Sequence, residues 1–137
     1  MNPIRVAVAG STGSIGVQTL DVIEGENDRC PGTYEVVGLG VGTSVDTLAA
    51  QVRSTNCRHV VVTDPAARAA AADRLPAVDV GADLADLVEQ ADVVVNGVVG
   101  FAGLPVTVAT LERGRRLALA NKESLIAAGP VVQPLRS

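Results

Sequence analysis

A glycine-spaced turn between a strand and a helix constrains the fold of this chain most. The apolar run from Ile4 to Ala9 leads into Gly10-Ser11-Thr12-Gly13-Ser14-Ile15-Gly16, and a helical pattern continues from Ile15 to Ile23. In a nucleotide-binding βαβ unit, such glycines permit a tight turn and a close approach of the backbone to a pyrophosphate at the helix N-terminus. The spacing is Gly-x-x-Gly-x-x-Gly rather than Gly-x-Gly-x-x-Gly, so a glycine-rich turn that binds nothing remains the alternative.

The rest of the chain alternates strand and helix patterns. Apolar residues make up 47% of the sequence and fall into short runs of Val, Ala and Leu, which is typical of a parallel sheet buried on both faces. Further strands are predicted at 34–40, 59–63, 76–81, 92–96 and 116–120, and helices at 15–25, after Ser44, and at 65–74, 82–90 and 104–113. The first helix is expected to end near Gly25, before a loop from Glu26. Ser44 is the predicted N-cap of the second helix, and Asp64 is the predicted cap of the third, with Pro65 as its first residue. The sequence thus predicts an α/β fold, a doubly wound and mainly parallel Rossmann-like sheet that forms a single domain over residues 1–137.

Charge and hydropathy exclude several classes of function. The net charge is −4, which argues against a nucleic-acid partner. No apolar stretch approaches the roughly 18 residues of a membrane span, and we expect no signal peptide before the first strand. We therefore expect a cytoplasmic protein without a membrane partner. Cys30 and Cys57 lack the spacing of a metal or redox site, and His59 is predicted to be a strand residue.

The loops that follow the predicted strands are expected to form one site. In a parallel sheet, the carboxyl ends of the strands lie at one edge, where ligands bind. The loops at that edge are 10–16, 40–44, 96–103 and 121–124. They contain Gly97, Gly100 and Gly103 and the polar cluster Asn121-Lys122-Glu123-Ser124.

The end of the second strand indicates the type of cofactor. A site for NAD usually has Asp or Glu there to hold the ribose 2′-hydroxyl, whereas this chain has Val41-Gly42-Thr43-Ser44. Hydroxyl and N–H groups at a helix start can hold a 2′-phosphate, so NADP is favoured. No Arg or Lys stands in this turn, and whether Arg53, one helix away, reaches it is left open.

Four motifs together give the chain a specific resemblance. They are Gly10 to Gly16, Leu20-Asp21-Val22-Ile23, Val99 to Leu104, and Leu119-Ala120-Asn121-Lys122-Glu123-Ser124-Leu125-Ile126. In order and separation they closely resemble the 1-deoxy-D-xylulose 5-phosphate reductoisomerase family. The resemblance implies an NADPH-dependent oxidoreductase of the methylerythritol phosphate route to isoprenoids, which converts 1-deoxy-D-xylulose 5-phosphate to 2-C-methyl-D-erythritol 4-phosphate.

The resemblance also implies a role for each matching residue. Thr12, Gly13, Ser14 and Ile15 match the pyrophosphate-binding turn, and Gly42, Thr43 and Ser44 match the grip on the adenosine ribose and its 2′-phosphate. Asn121 and Glu123 match contacts to NADPH, and Lys122 matches a lysine that reaches the substrate. Thr43 departs from the lysine of the family's frequent Gly-Lys-Asn. Asn121 and Glu123 can also be interpreted as a helix cap and a first-turn acid.

The resemblance places the metal chemistry outside these residues. The family's Mg²⁺ or Mn²⁺ ligands belong to a following catalytic domain, which we expect to be missing here, so the chain alone is predicted to be inactive. The family also implies a homodimer. Two alternatives are a non-enzymatic NADP-binding or redox-sensing module, and a fragment of another reductase such as a semialdehyde dehydrogenase. The positions of Cys30 and Cys57 argue against the latter.

Overall fold

The computed structural model describes residues 3–89, 91–98 and 116–119. These residues form a six-stranded sheet flanked by helices. The strands are β1 (Ile4–Ala9), β2 (Tyr34–Val41), β3 (His59–Val62), β4 (Asp79–Gly81), β5 (Val93–Asn96) and β6 (Arg116–Leu119), and the helices are α1 (Ser14–Arg29), α2 (Val45–Thr55), α3 (Pro65–Arg74) and a short 3₁₀ helix (Leu84–Val88).

The sheet confirms the predicted doubly wound α/β class. Its strand order is β4-β3-β2-β1-β5-β6, and every neighbouring pair is parallel. The order reverses direction at β1, because the chain proceeds from β1 to β4 on one side and returns to β5 and β6 on the other. In open parallel sheets, this reversal marks the crevice where ligands bind.

Strand β1 divides the core into two layers. Val6 and Val8 belong to the layer that includes Ile23 of α1, Leu48 of α2 and residues of α3. Ala7 and Ala9 face the opposite layer, with Leu87 and Val88 of the 3₁₀ helix. Because side chains alternate along a strand, this all-apolar stretch fits only a strand covered on both faces.

A β-bulge in β2 adjusts the sheet to its two layers. Val6 pairs with Val36 whereas Ala7 pairs with Gly38, so Val37 is an extra residue in β2. Val36 and Leu39 consequently lie in the same layer, although they are three positions apart in the strand.

The first helix runs further than predicted. It continues through Gly25 to Arg29, so the predicted end near Gly25 and the loop from Glu26 are wrong. The Asn27 side chain donates to the Tyr34 carbonyl oxygen at 3.0 Å and accepts from the Tyr34 N–H at 2.9 Å, which fixes the last helical turn beside β2. This tertiary contact outweighs the low helix propensity of one glycine.

Other predicted boundaries vary in accuracy. Asp64 caps α3 by accepting from the Ala67 N–H at 2.9 Å, with Pro65 at the first position, as predicted. The predicted helix at 82–90 is instead the 3₁₀ helix Leu84–Val88. The predicted helix at 104–113 lies outside the described residues. No helix of the described segments has the length and apolar character needed to span a membrane.

Candidate functional site

The turn after β1 is hydrogen-bonded to the carboxyl end of β2. The N–H groups of Gly10 and Ser11 both donate to the Gly40 carbonyl oxygen, at 2.8 and 3.0 Å. The Gly97 N–H, just beyond β5, donates to the Ala9 carbonyl oxygen at 2.8 Å. The ends of three adjacent strands are therefore joined at one edge of the sheet, as the loop positions predicted.

Two glycines of the turn are required by close contacts between backbone segments. Gly10 has a φ of 75°, and a Cβ there would lie 2.9 Å from the Gly97 carbonyl carbon. A Cβ at Gly16 would lie 2.3 Å from the Gly10 carbonyl oxygen, which no side chain can tolerate. The helix therefore begins directly against the turn, as expected where a glycine packs a helix onto a strand.

Gly13 has a different environment from these two glycines. It is the N-cap of α1, and no side chain caps the helix there. A Cβ at Gly13 would meet only the Gly10 carbonyl oxygen, at 3.5 Å, which is an ordinary contact. Gly13, Ser14 and Ile15 are exposed and Thr12 is partly buried. The start of α1 thus presents uncapped N–H groups and the positive end of its dipole at the surface.

A buried side-chain pair attaches the turn to α2. The Ser11 hydroxyl donates to Gln51 Oε1 at 2.8 Å, and Gln51 Nε2 donates to the Ser11 carbonyl oxygen at 2.8 Å. Both residues are buried. Sequence reasoning missed Gln51, because nothing local relates a glutamine in a helix to a serine 40 residues earlier. The only available signal was a polar residue beside Val52 on the apolar face of the helix.

The turn between β2 and α2 contains the other predicted residues that the structure describes. Gly42, Thr43 and Ser44 are exposed. Ser44 occupies the N-cap position of α2, as predicted, but its side chain makes no capping hydrogen bond. The Gly42 carbonyl oxygen accepts from the Asp64 N–H at 3.2 Å, which places the start of α3 beside this turn.

The structure answers whether Arg53 reaches the turn. Arg53 lies in the last turn of α2, about 12 Å along the helix axis from the first residue at 1.5 Å per residue. Because α2 runs back towards the start of β3, Arg53 lies near the amino edge of the sheet. It is therefore far from the turn that follows β2.

The remaining predicted site residues fall outside the described residues. These are Asn121, Lys122 and Glu123, together with Gly100 and Gly103 of the loop after β5. Of that loop, Asn96 is buried, and its Oδ1 accepts from the Val98 N–H at 3.1 Å.

The cysteines and the histidine lie away from this edge. Burial raises the pKa of the Cys57 thiol, which keeps it protonated and weakly reactive. Cys30 is exposed and unpaired at the end of α1. His59 is a strand residue, as predicted, and its Nδ1 lies 3.1 Å from Asp79 Oδ2. In the described part of the chain, no three His, Cys, Asp or Glu side chains are grouped so that they could hold a metal ion.

Comparison with known proteins gives the family. The family model described as 1-deoxy-D-xylulose 5-phosphate reductoisomerase matches residues 6–129. The chain belongs to the 1-deoxy-D-xylulose 5-phosphate reductoisomerase family. The reductoisomerase of Rhodococcus jostii (strain RHA1) is 48% identical over 134 residues, which are 95% of this chain and 32% of that protein. That of Mycobacterium avium (strain 104) is 51% identical over 133 residues, covering 94% of this chain and 31% of the relative.

Solved reductoisomerases share the fold of this chain. The Zymomonas mobilis enzyme in complex with NADPH matches with a TM-score of 0.88 and 36% identity. The match covers 98% of this chain and 36% of the Zymomonas mobilis chain. A reductoisomerase in complex with NADPH, fosmidomycin and magnesium has a TM-score of 0.88 and 30% identity, covering 97% of this chain and 34% of its own. This chain therefore spans about a third of the length of the reductoisomerases that it matches.

The Ser11–Gln51 pair predicts a measurable loss of stability. Gln51→Leu would leave the Ser11 hydroxyl and carbonyl groups buried without their partner, so we expect the free energy of unfolding to fall by about 1 to 3 kcal/mol. Urea titration followed by circular dichroism measures this loss. Gln18→Leu, the same change at an exposed position of α1, is the control and should stay within about 0.5 kcal/mol of wild type. Equal effects of the two changes would contradict the proposed contribution of the pair.

Proposed function

We propose that this chain is the NADPH-binding portion of a 1-deoxy-D-xylulose 5-phosphate reductoisomerase. The main supporting observation is the uncapped start of α1, which lies over a turn in which Gly10 and Gly16 leave no space for side chains. The family match and the similarity to reductoisomerases solved with NADPH support the same proposal.

The pyrophosphate is assigned to the start of α1. The backbone N–H groups of Thr12, Ser14 and Ile15, together with the helix dipole, favour a dianionic group at this position. The Gly13 N–H already donates to the Gly10 carbonyl oxygen. Thr12 and Ser14 add hydroxyl donors, which make no hydrogen bond to another described residue. The cradle fits the cofactor because Gly13 is exposed and no side chain fills the space in front of it.

The adenosine ribose and its 2′-phosphate are assigned to the turn between β2 and α2. Gly42, Thr43 and Ser44 are exposed, and no carboxylate ends β2. A carboxylate there would repel a 2′-phosphate, whereas hydroxyl and N–H groups at a helix start can bind one. This arrangement supports NADPH rather than NADH.

The substrate side is assigned by family membership to residues outside the described ranges. Bound NADPH would supply the hydride for the reduction. In this proposal, Asn121 and Glu123 contact the cofactor and Lys122 contacts the phosphorylated sugar. The Mg²⁺ or Mn²⁺ ligands and the homodimer of the family are not assigned to any residue of this chain. A cytoplasmic location and a place in isoprenoid biosynthesis belong to the same proposal.

The first prediction tests the pyrophosphate turn. Gly13→Val would place a branched side chain where the pyrophosphate must approach, so we expect NADPH binding to be lost while the circular dichroism spectrum is kept. Gly25→Val makes the same change in the middle of α1, where a Cβ meets no atom within 4 Å, and should leave the Kd for NADPH unchanged. A folded Gly13→Val variant that binds NADPH like wild type would place the cofactor elsewhere.

The second prediction concerns the choice of cofactor. Titration should give a lower Kd for NADPH than for NADH, because no carboxylate ends β2. Thr43→Lys should strengthen NADPH binding by up to about 1 to 2 kcal/mol if its ammonium group meets the 2′-phosphate. Thr47→Lys, on the exposed side of α2, controls for the added charge. Tighter binding of NADH by wild type would overturn the assignment of this turn.

The third prediction concerns turnover. We expect the chain to bind NADPH but not to oxidise it with 1-deoxy-D-xylulose 5-phosphate and Mn²⁺, because metal-assisted chemistry needs ligands that the described residues do not group together. The assay follows NADPH absorbance, with the chain alone and with the remaining part of the Rhodococcus jostii relative expressed separately. Activity of the mixture only would support the proposal, whereas turnover by the chain alone would contradict it. Binding without activity in either case would favour a non-enzymatic NADP-binding module.

A further inference from the structure

The proposed 2′-phosphate site lacks a positive charge within its own turn. Gly42, Thr43 and Ser44 offer only N–H and hydroxyl groups, and Arg53 lies at the far end of α2. A phosphate monoester carries about −1.5 to −2 charges at neutral pH and pairs best with a guanidinium or ammonium group. A cation that adds to these contacts would therefore come from another element at the same edge of the sheet.

Arg68 of α3 lies at this edge. Its Nε donates to the Val62 carbonyl oxygen at 2.9 Å, and its Nη2 donates to the Thr63 carbonyl oxygen at 3.0 Å. These two carbonyl groups are the last of β3 and the first after it. The guanidinium group is thus fixed at the carboxyl end of the strand that neighbours β2.

The segment that holds Arg68 also contacts the turn after β2. The Thr63 N–H donates to the Val41 carbonyl oxygen at 3.1 Å, and the Asp64 N–H donates to the Gly42 carbonyl oxygen at 3.2 Å. A Cβ at Gly42 would lie 3.9 Å from Thr63 Oγ1. The carbonyl group that holds Nη2 therefore belongs to a residue in direct contact with the proposed phosphate turn.

The guanidinium group of Arg68 keeps donors for an anion. It has five N–H donors, and the two carbonyl contacts use two of them. Within residues 3–89 and 91–98, the arginines that pair with a carboxylate are Arg5, Arg29 and Arg74. Arg68 forms no such pair. Asp64 caps α3, and Asp46 pairs with Arg74.

Of the remaining arginines within residues 3–89, Arg58 immediately precedes β3 and Arg53 lies in the last turn of α2, both at the opposite edge. Arg116 is the first residue of β6, so its backbone position is also at that edge. Among the arginines of residues 3–89, Arg68 therefore combines a position at the carboxyl edge with guanidinium N–H donors that remain unused.

We propose that Arg68 supplies the charge that binds the 2′-phosphate of NADPH and so selects NADPH over NADH. This inference rests on the proposed function. The turn after β2 provides short hydroxyl and N–H contacts, and the guanidinium group approaches from the neighbouring β3–α3 connection. The two carbonyl contacts hold the guanidinium in place before the cofactor arrives, which reduces the entropy lost on binding.

The test compares the Kd values of NADPH and NADH for the 137-residue chain and its variants. Arg68→Gln removes the charge but keeps an amide donor, and we expect it to weaken NADPH binding about 5- to 20-fold while leaving NADH binding unchanged. Arg68→Met keeps the aliphatic stem and serves if the glutamine variant does not fold. Arg58→Gln, at the amino edge, is the matched control and should change neither Kd.

A rescue variant separates binding of the phosphate from structural support of β3. Adding Thr43→Lys to Arg68→Gln should restore the preference for NADPH, because it returns a positive charge to the same phosphate. An equal loss of NADPH and NADH affinity on Arg68→Gln would show a structural role only, and no change in either would also overturn the proposal. A wild-type chain that binds neither nucleotide would reject the proposed function itself.

Discussion

The close approach of α1 to the turn before it determines the geometry of this edge of the sheet. Gly16 lies where a Cβ would be 2.3 Å from the Gly10 carbonyl oxygen, and Gly10 in turn lies against Gly97. Three backbone segments therefore meet without intervening side chains. The absence of side chains brings the start of α1 down onto the end of β1, with its free N–H groups facing outwards. The donors of a phosphate site are a consequence of this packing.

The turn is held from the side that faces the core. Ser11 is buried and exchanges two hydrogen bonds with Gln51, whereas Gly13 and Ser14 are exposed. A buried polar pair that is fully satisfied specifies one arrangement, because any shift leaves its groups without partners. The pair therefore fixes the turn relative to α2 while the opposite side stays open. Since α2 begins at the second proposed contact turn, the same pair relates both halves of the proposed nucleotide site.

Local patterns predicted the elements better than their ends. The apolar runs indicated the strands, and Asp64-Pro65 marked the start of α3, because both signals act within a few residues. The predictions for the end of α1 and for the 3₁₀ helix were wrong for a common reason. Both elements depend on contacts with residues that are distant in the sequence. The contact of Asn27 with Tyr34 extends one helix, and packing of Leu87 against Gly38 and Gly40 places the other element on the sheet.

The same limit applies to the candidate site. The spacing of Gly10, Gly13 and Gly16 identified the turn, but it did not distinguish the glycines that packing requires from the one that leaves open space. It also could not find Gln51, whose role depends on how α2 lies across the turn. The residue that the sequence did not reveal, Gln51, thus supports the site from the buried side and is not part of its exposed surface.

Cofactor selection shows why one loop of a parallel sheet cannot be interpreted alone. The sequence at the end of β2 indicates that no carboxylate is present there. A positive charge can nevertheless reach the same place from the connection that follows the next strand. Since β2 and β3 are parallel neighbours, with Val41 paired to Val62, both strands end at the same edge. Arg68 lies there through bonds to the carbonyl groups of Val62 and Thr63 rather than through its position in the sequence. In the proposed site, two successive βα connections therefore contribute to binding of the 2′-phosphate, and the contribution of the second becomes visible only once the sheet has formed.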